Sequence, residues 1–534
     1  MLTSSSSQPG RALLYRGFRP LGPWTGIDFL LVGSLLLLGS AVRIPGLDQG
    51  LWIDEILTLV HHIRLPTAEI ISHANEPNNH VLYSILAHKA INWLGESPWS
   101  LRLPAALFGI AAIPAVYALG RMIAGRQEAF LAALFLCLNY EFVWFSQNAR
   151  GYTGVLLGSV IATIMFLHIL SSRKPRFRLL LGYVSVVGMS SWMHATGLLL
   201  IMAHGLVWLA LAAKPVAAGR TRFVIPSMLA VLLASLLGAY LQAPRLEGIY
   251  ARQAAHFGHV PENRAGSEPA AQQANGANYA APGPAGAEPD TQGVPPQAGW
   301  LLEGLARGVK QSVPGGWPML LVVVLALLAG LGSYLRQSIA LAAILTLPAI
   351  FVPATVSVLD LHFFPRYLFG FSAFLLLLGV RGGFAMVGLV LPFFGRRGAL
   401  AMGVLVALAG ATALPSAWKP KQRFVAAAEF VEQHRAPGDA VVCLGVVKFA
   451  WQKFVGMDCE PVKSTDKLDR IEARSARIWM IYTFPLHLKG GSPELWRRIQ
   501  PSAGYKPVRQ LQGTLDNGNI YVLFKGSSSR QDRP

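Results

Sequence analysis

The sequence predicts a polytopic α-helical membrane protein of about eleven transmembrane helices with a small C-terminal α/β domain outside the membrane. Three observations carry this: an apolar composition, uncharged windows of span length along most of the chain, and a change of character after residue 418. Of 534 residues, 53% are hydrophobic and 14% charged, more apolar side chain than one soluble core can house. Lipid is the solvent that accepts the surplus. A hydrocarbon layer about 30 Å thick is crossed by roughly 20 helical residues. Windows of that kind fall at Ile27–Ile44, Leu103–Gly120, Ala129–Ala149, Gly151–Ser172, Leu179–Ala213, Phe223–Pro244, Trp317–Leu335, Gln337–Leu359, Tyr367–Phe394 and Gly398–Trp418. The run from Leu179 is too long for one crossing, so it is expected to fold back near His194–Gly197.

The formal net charge of +19 raises the question of a nucleic-acid partner. The basic residues instead sit in short gaps between apolar runs: Arg173, Lys174, Arg176 and Arg178, then Lys214, Arg220 and Arg222, then Arg396 and Arg397. That distribution orients a membrane protein and argues against nucleic-acid binding. The apolar run at Phe29–Val42 follows Arg11, Arg16 and Arg19 but precedes Arg43, Ile44 and Pro45 rather than a small-residue cleavage site, so it is expected to remain as an uncleaved first span. With residues 1–26 cytoplasmic, every basic gap falls inside. Residues 46–100, 245–316, 360–366 and everything after 418 then fall outside. Arg381 interrupts Tyr367–Phe394, and two spans there would reverse the tail.

Within the transmembrane domain, residues 27–418, the outer segment 46–100 carries helical periodicity. Ile53, Ile56, Leu57, Val60 and Ile63 would form one face of a helix in the membrane interface, and His80–Leu94 a second amphipathic stretch. Residues 261–297 are Ala, Gly, Pro, Gln and Asn with few large apolar side chains, which predicts a disordered insertion. Leu301–Val313 reads as a short interfacial helix. From 419 to 534 the composition is that of a soluble α/β domain, with a helix at Phe424–His434 and strands at Ala440–Val447, Arg477–Phe484 and Asn519–Phe524. Cys443 and Cys459 lie in it, either as a disulfide or as two free buried thiols; Cys137 sits in a span.

Chemistry-bearing residues gather at the outer boundary. There is no Gly-rich phosphate loop, zinc spacing or Asp-x-Asp triplet. Asp54 and Glu55 follow the first span, with Glu76 and His80 beyond. Such carboxylates serve either as a general base and divalent-ion ligands or simply as acids at a helix start. Arg102, Arg150 and Arg366 stand at the outer ends of three spans, where they would converge on anionic material or snorkel to headgroups. His194, at the expected hairpin, fits a helix-end hydrogen bonder better than a catalytic residue.

The order Gly50–Glu55, Glu76–Tyr83, Ser100–Ala105, Gln147–Tyr152, Trp192–His194 and Pro365–Tyr367 resembles the GT-C membrane glycosyltransferases. More narrowly it resembles the family 39, protein O-mannosyltransferase-like group of bacteria that includes the aminoarabinose transferases. The resemblance runs from about residue 27 to about residue 445. The chain departs from the group in having Glu76–Pro77–Asn78–Asn79–His80 where many members have His-Pro-Pro.

The resemblance implies a bacterial inner-membrane enzyme performing inverting transfer of one sugar from a polyprenyl-phosphate carrier to a hydroxyl of an envelope glycan, lipid or protein. It makes Asp54 the essential acid, assisted by Glu55 and Glu76, and Arg150, Tyr152, Arg366 and Tyr367 the donor-phosphate residues. His80, Arg102 and His194 would line the site. No cofactor is required by this reading; a divalent metal ion, where used, would take Asp54, Glu55 and Glu76. Guanidinium groups can stabilise a monophosphate leaving group without a metal. The rival readings are a transporter or flippase of a lipid-linked or anionic substrate, and a scaffold for envelope assembly.

Overall fold

The computed structural model describes residues 22–76, 78–172, 174–217, 221–256, 316–359, 363–515 and 517–526. Nearly all of the N-terminal tail, the insertion at 261–297 and the helix expected at 301–313 lie outside the described residues.

The chain is a multi-pass membrane protein. Among the described residues, seven helices are long and apolar enough to cross a bilayer: Pro98–Ile123, Tyr152–Ser171, Phe223–Glu247, Pro318–Gln337, Ile339–Val358, Pro365–Val390 and Pro392–Ala411. Arg126–Leu138 and Tyr140–Ser146, bent by 59° at Asn139, are long and apolar enough only when taken together. The shorter apolar helices Gly26–Ala41, Phe177–Met193 and Gly197–Ala212 fall where the remaining spans were expected. The hairpin anticipated near His194 is real: the backbone leaves the helix at His194 and re-enters at Gly197. Helices Gly316–Gln337 and Ser372–Val390 cross closely, because a Cβ on Gly382 would overlap the Ala326 carbonyl and one on Gly330 the Leu378 carbonyl.

Polar locks fasten one end of the bundle. Asp28 is buried and accepts from Tyr117 Oη at 2.6 Å and Arg126 Nε at 3.0 Å, with Arg121 Nη1 at 2.5 Å. Glu128, also buried, holds Arg381 Nη1 at 3.0 Å and Arg396 Nη2 at 3.2 Å. Arg381, which also donates to Ser333 Oγ at 3.0 Å, thus sits inside one helix rather than between two, and the tail is not reversed.

The C-terminal domain therefore emerges at the same end as residues 46–100. Its helix Phe424–His434 packs on a five-stranded sheet made of β1 Ala440–Leu444, β2 Glu460–Val462, β3 Arg477–Thr483, β4 Lys506–Leu511 and β5 Ile520–Gly526. The strand order is β2-β1-β3-β5-β4, with β1 parallel to β2 and β3, and β5 antiparallel to β3 and β4. Cys443 and Cys459 form a disulfide joining β1 to the approach to β2. Strands β2 and β4 were not anticipated. The first has three residues, and the second buries only Leu511, so neither shows an alternating pattern.

The apolar face at Ile53–Ile63 does not meet lipid. Ile53, Ile56, Leu57 and Ile63 are buried in one continuous core with Tyr83, Phe424, Val431, Trp451 and Val522. Burial against the C-terminal domain satisfies the same periodicity that an interface would.

Candidate active site

Helix Ile53–Thr58 presents Asp54 on its first turn, where the Glu55 carboxylate already caps the Trp52 N–H at 3.3 Å. Asp54 keeps partial exposure, and its Oδ2 lies 3.4 Å from Arg366 Nη1. Arg366 comes from the 3-10 turn Pro365–Phe371 and is stacked over the Phe364 ring, 4.3 Å from its centroid. Thr58 links the acid to a second guanidinium. Its hydroxyl donates to the Asp54 carbonyl at 2.7 Å and accepts from Arg150 Nη1 at 2.8 Å. Arg150 also donates to the Asn78 carbonyl at 3.2 Å and to Asn78 Oδ1 at 3.3 Å. The Nε–H groups of Arg150 and Arg366 are both buried without a hydrogen-bond partner among the described residues. Buried charged donors left unpaired are costly.

A third guanidinium joins them. Arg245, near the C-terminal end of the helix Phe223–Glu247, donates to the Ala74 and Asn79 carbonyls and feels the charge of Arg150 and the hydroxyls of Tyr152 and Tyr367. Sequence reasoning treated it only as the start of an outer loop. The signal was there: it is a lone charge just past Pro244 at a span end, the same pattern that singled out Arg150 and Arg366.

His80, Tyr152, His194 and Tyr367 line the same pocket. The His80 ring is 5.2 Å from Tyr152 and 4.9 Å from His194, and His194 is 5.7 Å from Tyr367. His80 Nδ1 accepts the Gly151 N–H at 3.1 Å, and His194 Nδ1 accepts the Thr196 N–H at 3.2 Å. Burial, then the Arg150 charge, holds His80 well below the ordinary histidine value; burial, then Arg245, does the same to His194. Both rings are therefore neutral with the proton on Nε2, and each offers an N–H donor.

Three expected residues sit elsewhere. Glu55 is fully buried and grips Arg102 in a two-point pair, Oε1 to Nε at 2.8 Å and Oε2 to Nη2 at 2.6 Å, while Oε1 also accepts the Ala149 N–H at 2.7 Å. Burial opposes its charge, but the Arg102 and Lys421 charges and these hydrogen bonds outweigh it and leave the Glu55 carboxyl below its ordinary value. Arg102 spends its other N–H groups on the carbonyls of Leu47 and Gln49, at 3.0 and 2.6 Å, so the pair knots the loop beneath Asp54. Glu76 Oε2 lies 3.5 Å from His62 Nε2. Burial, then His61, pushes His62 down to about 3, so this contact joins a carboxylate to a neutral ring.

The residues do not fit a metal ion. Asp54, Glu55 and Glu76 each have a separate nitrogen partner, and no group of three ligating side chains forms among the described residues. What remains is a pocket with three guanidinium groups, two imidazole donors and two phenols around one accessible carboxylate. Such a set has the donors to bind an anion beside a carboxylate.

No protein-family model matches the sequence, and no curated protein matches it. The structure is similar to ArnT from Cupriavidus metallidurans bound to undecaprenyl phosphate, at 12% identity and a TM-score of 0.49, covering 96% of this chain and 100% of that one. It is similar to the oligosaccharyltransferase AglB from Archaeoglobus fulgidus, in complex with an inhibitory peptide and a dolichol-phosphate, at 13% identity and a TM-score of 0.49, covering 95% of this chain and 75% of that one. The protein O-mannosyltransferase Pmt1-Pmt2 complex of S. cerevisiae, bound to the sugar donor, is similar over 45% of this chain and 35% of that one, at 15% identity and a TM-score of 0.30.

Proposed function

We propose that this pocket is the active site of an inverting glycosyltransferase that moves one sugar from a polyprenyl-phosphate carrier to a hydroxyl of an envelope acceptor, on the outer face of a bacterial inner membrane. The observation that carries the reading is the meeting of Asp54 with Arg366 at 3.4 Å, beside Nε–H groups of Arg366 and Arg150 that have no hydrogen-bond partner among the described residues.

The acceptor hydroxyl attacks the anomeric carbon from the side opposite the phosphate. Its proton passes to the Asp54 carboxylate as the new C–O bond forms. The bond from the anomeric carbon to the phosphate oxygen breaks, and the polyprenyl monophosphate leaves with the electron pair. Arg150, Arg245 and Arg366 meet the charge that grows on that oxygen, with Tyr152, Tyr367 and the Nε2–H groups of His80 and His194 as further donors. The Glu55–Arg102 pair touches no reactant; it fixes the loop that carries Asp54. The disulfide supports placing the C-terminal domain in an oxidising compartment, with the N-terminus cytoplasmic.

Removing the protein from its own cells and analysing the membrane lipids tests the proposal. A polyprenyl-phosphate sugar should accumulate and disappear when the wild-type chain, but not Asp54→Asn, is returned. An unchanged pool of such lipids would overturn it.

A further inference from the structure

The segment between the last span and the outer domain is held on both sides. The Thr514 N–H donates to the Pro420 carbonyl at 3.0 Å and the Leu515 N–H to the Lys421 carbonyl at 3.3 Å, which ties the segment to the β4–β5 loop. The loop approaches so closely that a Cβ on Gly513 would overlap the Lys421 carbonyl. On the other side, buried Lys421 Nζ donates to the Gln147 carbonyl at 2.5 Å, three residues before Arg150.

Gln422 completes the connection. It is fully buried, and its amide is saturated across two domains. Nε2 donates to Thr483 Oγ1 and the Gly518 carbonyl, both at 3.1 Å, while Oε1 accepts the Ile53 N–H at 2.9 Å. Ile53 is the first residue of the helix that carries Asp54, and its N–H is one of the donors a helix start leaves open. A side chain 369 positions away supplies the acceptor.

We infer that Gln422 is a positioning residue through which the outer domain sets the place of the Asp54 helix. This rests on the proposed reading of the pocket for its catalytic consequence, but not for its geometry. A six-residue helix has little stability of its own. Its first turn is held by Glu55, by Trp52 Nε1 on Asn148 Oδ1 at 3.1 Å, and by Gln422. Gln422 alone among these reaches into the sheet domain, so a shift of the β4–β5 loop is passed to Asp54. Arg150, Arg245 and Arg366 make no direct contact with Gln422 among the described residues; Arg150 and Arg366 meet the connection only through Thr58 and Asp54 of the helix itself.

The test uses the full-length protein with Gln422→Met, which keeps the volume and removes both hydrogen-bonding groups, and Gly513→Ala, which pushes on Lys421 from the outer domain. Amide exchange over Ile53–Thr58 is expected to speed up by at least about tenfold in both. Affinity for undecaprenyl phosphate should stay within about twofold, and turnover with the lipid that accumulates in cells lacking the protein should fall at least about tenfold at unchanged donor KM. Unchanged exchange at Ile53–Thr58, or faster exchange with unchanged turnover, would overturn the inference. Should either variant misfold, native-state exchange of the unmutated chain decides: the Ile53 amide should open together with the β3 and β5 amides, and earlier release on its own overturns the coupling. Absence of undecaprenyl phosphate binding in the unmutated protein would instead count against the reading of the pocket, leaving the exchange result to judge Gln422.

Discussion

Asp54 and Arg366 are 312 positions apart in sequence and 3.4 Å apart in space. The contact ties the helix Ile53–Thr58 to the start of a late span. Either residue alone would be an ordinary boundary charge; together they place a carboxylate against a guanidinium whose Nε–H has no hydrogen-bond partner among the described residues.

Replacing Asp54 by Asn keeps the shape and removes the proton acceptor. Transfer is expected to fall by about 10²-fold or more, the scale of a lost general base. The melting temperature should scarcely change, because Asp54 is partly exposed and its backbone contacts remain. Initial rates with the isolated donor lipid, beside a thermal melt, check both halves.

Arg245 should matter as much as the guanidinium groups found by motif. Arg245→Ala removes a charge-assisted donor of about 1.5–3 kcal/mol, which corresponds to roughly 10- to 100-fold weaker binding of undecaprenyl phosphate. Arg245→Lys, keeping the charge without the fork, should recover part of the loss. Titration of the purified protein with undecaprenyl phosphate reads this out.

The Glu55–Arg102 pair behaves differently. Arg102→Met leaves a buried carboxylate without its partner, at a cost of about 3–5 kcal/mol. The double variant Glu55→Gln with Arg102→Met removes the stranded charge and should melt above the single one. Equal melting of the two would show that the pair is not coupled.

Acid should destabilise the outer surface. His62, His80 and His194 have folded-state proton affinities below the ordinary value of 6.5, and His62 reaches about 3. Between those values the unfolded chain binds more protons than the folded one, so stability rises with pH across the window. It is complete above about 6.5 and is lost as pH falls toward 3. A melting temperature that drops from pH 6.5 to pH 4.5, with a shallower slope in His62→Asn, is the expected result.

The membrane architecture was legible because lipid enforces it: charge-free runs of about 20 residues have few other uses. Even the hairpin at His194 followed from length. Asp54, Arg150, Tyr152, Arg366 and Tyr367 were legible through motif order, and His80 and His194 join them despite the departure from His-Pro-Pro. Glu55 and Arg102 were visible as charges, but not as each other's partner, since a buried pair formed across 47 positions leaves no periodic trace. Gln422 was invisible for the same reason: an amide that bridges three segments looks like any loop glutamine. The face at Ile53–Ile63 was read with the right period and the wrong neighbour, because periodicity says that a face is buried but not by what.

The most direct measurement follows a doubly labelled polyprenyl-phosphate sugar, taken from cells lacking the protein, in proteoliposomes holding the purified chain and an envelope acceptor extract. The account predicts free polyprenyl phosphate together with labelled acceptor of inverted anomeric configuration, and neither product with Asp54→Asn. Donor that crosses the bilayer with its sugar still attached would contradict it and favour a transporter.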